Sequence, residues 1–428
     1  MTLTPADIAG SVRHAALTAD VTQIARRAVL DTSGAMLAGL HSAQADAVRR
    51  MAGLTGAQGA VQAALVLGTA AHALDFDDYE DAGSTHPSAP ILAALFASLG
   101  ARPVTIGDLL LAYVAGYETI LLLGDMLSHA HYLKGWHATG TLGALGAAVA
   151  VARLLDLPAD GMGQALSIAT SQASGLKRQF GTGMKAVHAG MAAQTGVLAA
   201  HLAASGLTAA DDPLEGHAGW ATLMGAPKDR AGSGRSLTIR DHPPYAKPWP
   251  CCGYTHRSIE AALNIQARLP RSPSAQIVAI RLDMPDAYLD VAGFRTPRTE
   301  AEARFSTSYC VATALLTGAL GPEDFHPAAL SDPARLAIEA RVTAQPYPLP
   351  EGAGDMCVEA PDRVEVTLSD GTVLSDSVAH VKGGPDAPLS NRDILDKFIA
   401  CGGRPEEAHA FNTGSLQSPF QLFTGLLR

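Results

Sequence analysis

Residues 138–155 read ATGTLGALGAAVAVARLL. From Ala138 to Ala152 the stretch carries no charge, and Arg153 closes it. It falls short of the roughly 20 apolar residues that a membrane span requires. A helix buried inside a protein core is the reading that fits. Its alanines and glycines let neighbouring helices come close, and alanine loses no side-chain entropy on becoming helical. The whole chain shares this texture: 47% of its residues are hydrophobic but only 5% aromatic, so small side chains must fill a large core.

Working outward, the same helical pattern repeats. Val21 to Leu40 and residues 61–75 carry apolar residues at helical spacing. Ser88-Ala89-Pro90 predicts a helix start, with Ser88 as the N-cap and Pro90 in the first turn. Thr105-Ile106-Gly107-Asp108 resembles a capping box, with Asp in place of Glu, ahead of an apolar segment to about Leu127. Further helices are expected at 160–176, 186–205 and 212–223. Strands do not alternate with helices, so a doubly wound sheet is excluded. Near residue 225 the texture changes to a Gly- and Pro-rich connector, APKDRAGSGRSLTIRDHPPYAKPWPCCGY. Beyond it a helix is expected from His256 to Leu269, a strand from Ala275 to Met284, and helices at 299–317 and 332–341. Val364 to Leu368 alternates, Asp370-Gly371 turns, and Val373 to Val378 returns, which is a hairpin pattern. Residues 391–428 read as helical again. The expected fold is mainly α. A large all-helical domain (1–235 and 389–428) is built from both chain ends, and a smaller α+β domain (236–388) is inserted between them.

The formal net charge of −10 argues against nucleic acid as a partner, because phosphates call for a basic face. Five scattered cysteines show no disulfide framework and no zinc or iron–sulfur spacing. The N-terminal MTLTPADIAGSVRH lacks the basic start and apolar run of a signal peptide. The expectation is a cytoplasmic protein with reduced thiols, no membrane and no metal.

Four stretches carry reactive side chains. His72-Ala73-Leu74-Asp75-Phe76-Asp77-Asp78-Tyr79, followed by His86, crowds carboxylates that are costly to bury unpaired. They would serve a divalent cation or equally a solvated helix end. Lys134 to Thr141 places His137 at the mouth of an apolar helix, where backbone N–H groups can face an anion. Leu176 to His188 gathers Lys177, Arg178 and Lys185 among glycines. The spacing is wrong for a P-loop, but the cations suit carboxylates. Tyr245 to His256 holds Lys247, Cys251, Cys252 and His256 on a backbone stiffened by Pro248 and Pro250. There is no nucleophile elbow and no dinucleotide fingerprint. Such clusters suit proton transfer beside anionic groups.

Taken together, HALDFDDYEDAGSTHPSAP (72–90), GWHATGTLGALGAAVAVARLL (135–155), GTGMKAVHAGMAAQTGVLAAHLA (181–203), KPWPCCGYTH (247–256) and EARFSTSYCVA (302–312) resemble the MmgE/PrpD family. That family includes 2-methylcitrate dehydratase, cis-aconitate decarboxylase and iminodisuccinate epimerase. The resemblance implies a helical domain with a smaller α+β lid, a homodimer, and a cofactor-free site between the domains. It implies Asp75, His86, His137, Lys185, Lys247, His256 and Tyr309 as catalytic residues, with Tyr79, Arg178 and Cys252 lining the substrate. The base is left open between His137 and a neutral lysine, and the acid between Tyr309 and His86. Tyr79 and Cys252 stand where the decarboxylase members are expected to carry Thr and His. The implied reaction is therefore dehydration of a hydroxy-carboxylate. Epimerisation of a related substrate is the alternative, and a non-catalytic carboxylate binder is the alternative from another class.

Overall fold

The computed structural model describes residues 3–100, 103–227, 237–269, 276–351, 353 and 355–420. Its first half holds α1 (Pro5–Arg13), α2 (Ala19–Gly39), α3 (Ala43–Thr55), α4 (Ala60–Ala73), α5 (Ser88–Ala97), α6 (Ile106–Leu133), α7 (Ala138–Leu154), α8 (Ala159–Thr170), α9 (Met184–Ala204) and α10 (Trp220–Met224). Every residue of α7 from Ala138 to Ala152 is buried, as a helix apolar on all sides must be. It packs between α6 and α9, and α9 also lies along α4. The contacts are close because they are made by small residues. Gly190 of α9 faces the Leu65 carbonyl and Thr69 of α4, and Gly196 faces Ala147 of α7. α6 is long and apolar enough to cross a membrane, but most of it is buried against its neighbours.

The second half begins with α11 (His256–Gln266) and β1 (Ile277–Pro285). The crossover to β2 (Val342–Tyr347) carries α12 (Asp286–Ala292), α13 (Glu300–Ala303), α14 (Thr307–Thr317), α15 (Pro327–Leu330) and α16 (Pro333–Glu339). β3 (Asp362–Leu368) and β4 (Val373–Val378) follow. The sheet order is β2-β1-β3-β4. β1 and β2 run parallel, with Ile280 opposite Val342, which is why a long crossover separates them. The other pairs are antiparallel, and the β3–β4 hairpin turns through Gly371 at φ +86°. Val364, Val366 and Leu368 point to the buried side, where α11 covers the sheet. The chain then returns: α17 (Asn391–Ala400) packs on α2, and α18 (Pro405–Thr413) follows it.

The architecture is mainly α with a small sheet, and several sequence expectations hold in detail. Thr105 and Asp108 form the reciprocal capping box. Others need correction. Ser88 is the first helical residue rather than the cap, and its hydroxyl bonds to Asp78 and Tyr113. Of the expected 212–223 helix only 220–223 forms, as part of α10, because Pro213, Gly216 and Gly219 keep the preceding backbone irregular. The 299–317 helix breaks at 304–306. Ser306 caps α14 by accepting from the Tyr309 N–H, and Arg304 turns inward to donate to the Leu74 and Pro250 carbonyls. The C-terminal segment is helical only to Thr413, and its residues 421–428 lie outside the described residues, as does Ala275 at the head of the expected strand. The structure adds α1, α3, α12, α15 and β2, which none of the sequence patterns above predicts.

Gly190→Ala tests the close packing. A methyl group there would press on the Leu65 carbonyl, which belongs to a helix backbone and cannot yield. Overpacking of about 1–3 kcal/mol should outweigh the roughly 1 kcal/mol gain in helix propensity. The expected outcome is a net loss of stability in urea denaturation. An unchanged or raised midpoint would mean that α4 and α9 are less tightly joined.

Candidate active site

The centre is built around the loop that follows α4. The last turn of α4 presents His72, and the chain then turns through Asp75 at φ +51°, a left-handed conformation that Asp tolerates better than most residues. Asp75 Oδ1 accepts from Lys185 Nζ at 3.1 Å and from Lys247 Nζ at 2.7 Å. Lys247 Nζ also donates to the Asp75 carbonyl at 3.0 Å. Lys185 arrives from the first turn of α9. Lys247 is delivered by the Pro-rich connector, which is pinned to the loop by a two-way backbone pair between Tyr79 and Tyr245. All three charged groups are buried.

Asp77 forms the second layer. Its Oδ2 lies 2.8 Å from His72 Nδ1 and 3.4 Å from His86 Nδ1. His72 Nε2 lies 2.9 Å from Lys185 Nζ. An ammonium group can only donate, so His72 accepts at Nε2 and carries its proton at Nδ1, toward Asp77. That makes it a neutral imidazole. Burial, and Lys185 beside it, hold its pKa below the ordinary value. Burial alone would raise Asp75, but Lys185 and Lys247 outweigh it and hold the carboxyl well below the usual range. Burial likewise opposes ionised Asp77, and the rings of His72 and His86 more than offset it. His86 is pushed down to about 3, first by burial and then by Lys247. Burial and Lys185 lower His137 well below its ordinary value. His188, whose Nδ1 lies 3.0 Å from His137 Nδ1, falls to about 4, chiefly through burial. At neutral pH the centre is thus two carboxylates and two ammonium groups among uncharged imidazoles.

These groups open on a cavity of about 50 Å³, room for a few water molecules. Asp75, His86, His137 and Lys185 form its inner wall, with Tyr79, Phe180, Phe305 and Cys252 around them. Burial and Asp75 push the Cys252 thiol up to about 12, so it is a neutral group there. Tyr254 and Asp355 form part of the outer wall, linked by a 2.9 Å hydrogen bond from the Tyr254 hydroxyl. Glu80, raised to about 7 mainly by burial, accepts from the Gly83 and Thr85 N–H groups and shapes the turn leading to His86.

Of the residues named from sequence, Asp75, His86, His137, Lys185, Tyr79 and Cys252 line this cavity, and Lys247 stands directly behind Asp75. Three do not reach it. His256 packs edge-on against Trp249, with Nε2 3.2 Å from the Cys251 carbonyl. Tyr309 is wholly buried in α14, where its hydroxyl donates to the Asp324 carbonyl, the partner a buried phenol requires. Arg178 is exposed on a short turn. Its neighbour Lys177 points inward instead, 3.7 Å above the Tyr132 ring. The sequence reading passed over His72, Asp77 in its pairing role, His188, Tyr254 and Asp355. His188 was legible, since it follows Lys185 by three residues and so shares its face of α9.

His72, Asp75, Asp77 and His86 also bring four ligand atoms within 4.8 Å of one another, a spacing that would suit a metal ion. The donor set argues against one. Lys185 and Lys247 already share the Asp75 oxygen, and the His72 Nε2 lone pair faces Lys185. Binding through Asp75 Oδ1 or His72 Nε2 would have to displace a lysine, whereas Asp75 Oδ2 and Asp77 Oδ1 have no hydrogen-bond partner among the described residues.

Residues 5–231 match the MmgE/PrpD N-terminal domain and residues 249–410 the MmgE/PrpD C-terminal domain. The chain belongs to the MmgE/PrpD family. Among curated relatives it is 31% identical over 353 residues to the cis-aconitate decarboxylase of Homo sapiens, covering 79% of this chain and 72% of that protein. The cis-aconitate decarboxylase of Aspergillus terreus is 28% identical over 375 residues, covering 81% and 75%. The cis-aconitate decarboxylase-like protein oryM of Aspergillus oryzae is 27% identical over 422 residues, covering 89% and 86%.

Asp75→Asn tests the ionic core. It leaves two buried ammonium groups without their counter-charge, at an expected cost of about 3–5 kcal/mol. Because the folded pKa of Asp75 is depressed, its stabilisation is present above the unfolded carboxyl value of about 3.9 and is lost as pH falls through the lower folded value. Wild-type stability should therefore drop more steeply below pH 4 than that of the variant, as read from urea midpoints across pH. Parallel pH dependences would show that Asp75 is not held ionised by the lysines.

Proposed function

We propose that the chain is an acid–base lyase that removes a proton next to the carboxylate of a small hydroxy-acid and expels the hydroxyl as water. The observation that carries this reading is the placement of neutral His86 beside the Lys185–Asp75–Lys247 centre. Abstracting such a proton needs a base that is deprotonated at working pH, and positive charge where the carboxylate becomes dianion-like. His86 supplies the first. Its Nδ1 lies 3.4 Å from Asp77 Oδ2 without forming a hydrogen bond and its Nε2 lies 3.7 Å from Asp75 Oδ1, so both carboxylates stabilise the imidazolium it becomes. Lys185, on the cavity wall, supplies the second. The electron pair left on carbon forms the double bond as hydroxide departs. The departing hydroxide takes up the proton now held by the His86 imidazolium and leaves as water, which returns His86 to its neutral form. No step calls for a metal or nucleotide. The family resemblance supports a homodimer.

Charge favours a substrate with few carboxylates. The cavity offers one lining lysine but three carboxyl residues, Asp75, Glu80 and Asp355, and Cys252 contributes no cation. Tyr254, Asp355 and Met356 share the lining with these groups, so they bear on which acid is admitted. A second reading, decarboxylation, is favoured by the names of the curated relatives. A panel of 2-methylcitrate, smaller hydroxy-dicarboxylates and cis-aconitate separates the readings. Dehydration gives a new double bond without gas, decarboxylation gives CO₂, and epimerisation changes optical rotation at constant mass. CO₂ release from cis-aconitate as the only activity would overturn the dehydratase reading.

Two outcomes follow from the geometry. Lys185→Met should remain folded by circular dichroism yet lose roughly 10²-fold or more in kcat, the scale for removing transition-state charge stabilisation. Near-wild-type turnover would remove Lys185 from the mechanism. In the free enzyme His86 must be deprotonated to act, and its pKa is about 3, so kcat/KM should hold on the acid side well below the ordinary imidazole value of about 6.5. A bound carboxylate adds negative charge and raises that pKa, so the acid limb of kcat should lie at higher pH than that of kcat/KM. Coincident limbs near pH 6.5 would exclude His86 as the base.

A further inference from the structure

Lys397 sits on α17, far along the chain from the centre, and its side chain is buried. Its Nζ donates to the Phe76 carbonyl at 2.7 Å and to the Lys247 carbonyl at 3.0 Å. It also pairs with Asp31 of α2 at 2.8 Å and lies 4.0 Å above the Phe76 ring. Phe76 stands between Asp75 and Asp77, and Lys247 is the deeper of the two lysines on Asp75. One ammonium group therefore clamps the backbone of both loops that meet at the centre.

We propose that Lys397 is a positioning residue, which fixes the Asp75–Asp77 loop and the Lys247 connector in register so that Asp77 sets the tautomer of His72 and Lys247 meets Asp75. The proposal rests on the acid–base reading above for its catalytic consequence, though not for its geometry. A clamp of this kind acts through separation. Hydrogen bonds to charged donors hold their acceptors to within a few tenths of an ångström. Misplacing reacting groups by about 1 Å can cost roughly 10²-fold in rate. Asp31 serves a different purpose: it pairs with the Lys397 ammonium group and makes no hydrogen bond to either loop. That division of labour can be tested, because the ion pair and the carbonyl bonds are separable by mutation.

Lys397→Met alone strands a buried Asp31 carboxylate and can fail to fold for that reason only. The informative pair is Asp31→Asn, which keeps Lys397, and the double variant Asp31→Asn/Lys397→Met, which removes charge from both sides. Two readouts apply to each, alongside the thermal midpoint. The first needs no substrate: ring ¹⁵N chemical shifts of His72, assigned with His72→Asn, report which nitrogen carries the proton. Wild type and Asp31→Asn should both show His72 protonated at Nδ1. In the double variant the His72 Nδ1–H should lose its well-placed Asp77 acceptor, and its ring shifts should move away from the wild-type pattern toward a mixture of tautomers, with Lys185 alone still facing Nε2. The second readout is steady-state kinetics on whichever acid of the panel is turned over. The expected result is a kcat lowered about 10²-fold in the double variant with KM changed less than about 3-fold, and near-wild-type kcat in Asp31→Asn. A lowered melting temperature with unchanged His72 tautomer and unchanged kcat would overturn the proposal and leave Lys397 as a helix anchor. A His72 change in a protein that turns over none of the acids would uphold the clamp while rejecting the lyase reading.

Discussion

One carboxylate oxygen, Asp75 Oδ1, receives two buried lysines, and the surrounding structure follows from the need to keep it ionised. Alone, each of these charges would be expelled from the interior or neutralised. Together they are stable only if the three side chains meet within hydrogen-bonding distance, although they come from a loop, a helix start and a Pro-rich connector. The backbone bends to allow it: Asp75 adopts positive φ, the Tyr79–Tyr245 pair ties the connector down, and Asp77 spreads the charge into two imidazoles. The same lysines that stabilise Asp75 keep His86 and His137 uncharged, so ionic balance and basicity are one arrangement seen from two sides.

Much of this was legible in the sequence, for identifiable reasons. A helix with no polar face, such as α7, has nowhere to go but the core. Thr105 and Asp108 announce their capping box because both hydrogen bonds are local. The β3–β4 hairpin shows in its alternation and its Asp370-Gly371 turn. Asp75, His86, His137, Lys185 and Lys247 were placed because their flanking stretches carry a family pattern. The failures are matters of rotation and reach. Tyr309 and His256 lie in stretches of the same pattern, but each begins a helix whose first turn faces its own layer, where the Asp324 and Cys251 carbonyls claim them. Arg178 and Lys177 are adjacent in a tight turn, so their side chains diverge, and composition cannot say which points inward. Lys397 was invisible because its two carbonyl partners are 321 and 150 residues away and are backbone atoms, which no side-chain pattern reveals.

The cavity draws its walls from both halves of the chain. His86, His137 and Lys185 belong to the helical half, and Cys252, Tyr254, Phe305 and Asp355 to the half that carries the sheet. The reactive groups stand on the side that is most rigidly packed, where glycine contacts lock α4, α7 and α9 together. The residues that set size and polarity stand opposite, on loops. Within one architecture, substitutions at positions such as 79, 252 and 355 can change which acid fits without disturbing the Asp75 core.

The reach of α17 back to the centre has a consequence for how the protein comes into being. Lys397 is made 150 residues after Lys247. At about 5–20 residues per second a ribosome needs on the order of ten seconds or more to cover that distance. During this interval the nascent chain already holds Asp75, Lys185 and Lys247, and the Tyr79–Tyr245 pair can tie their loops together, but the ammonium clamp on the Phe76 and Lys247 carbonyls is missing. A bundle collapsing around unpaired charges at that stage would expose or strand them. A chain stalled or cut short of α17 would possess α1–α16 yet lack this clamp, and would be a natural client for chaperones and proteases.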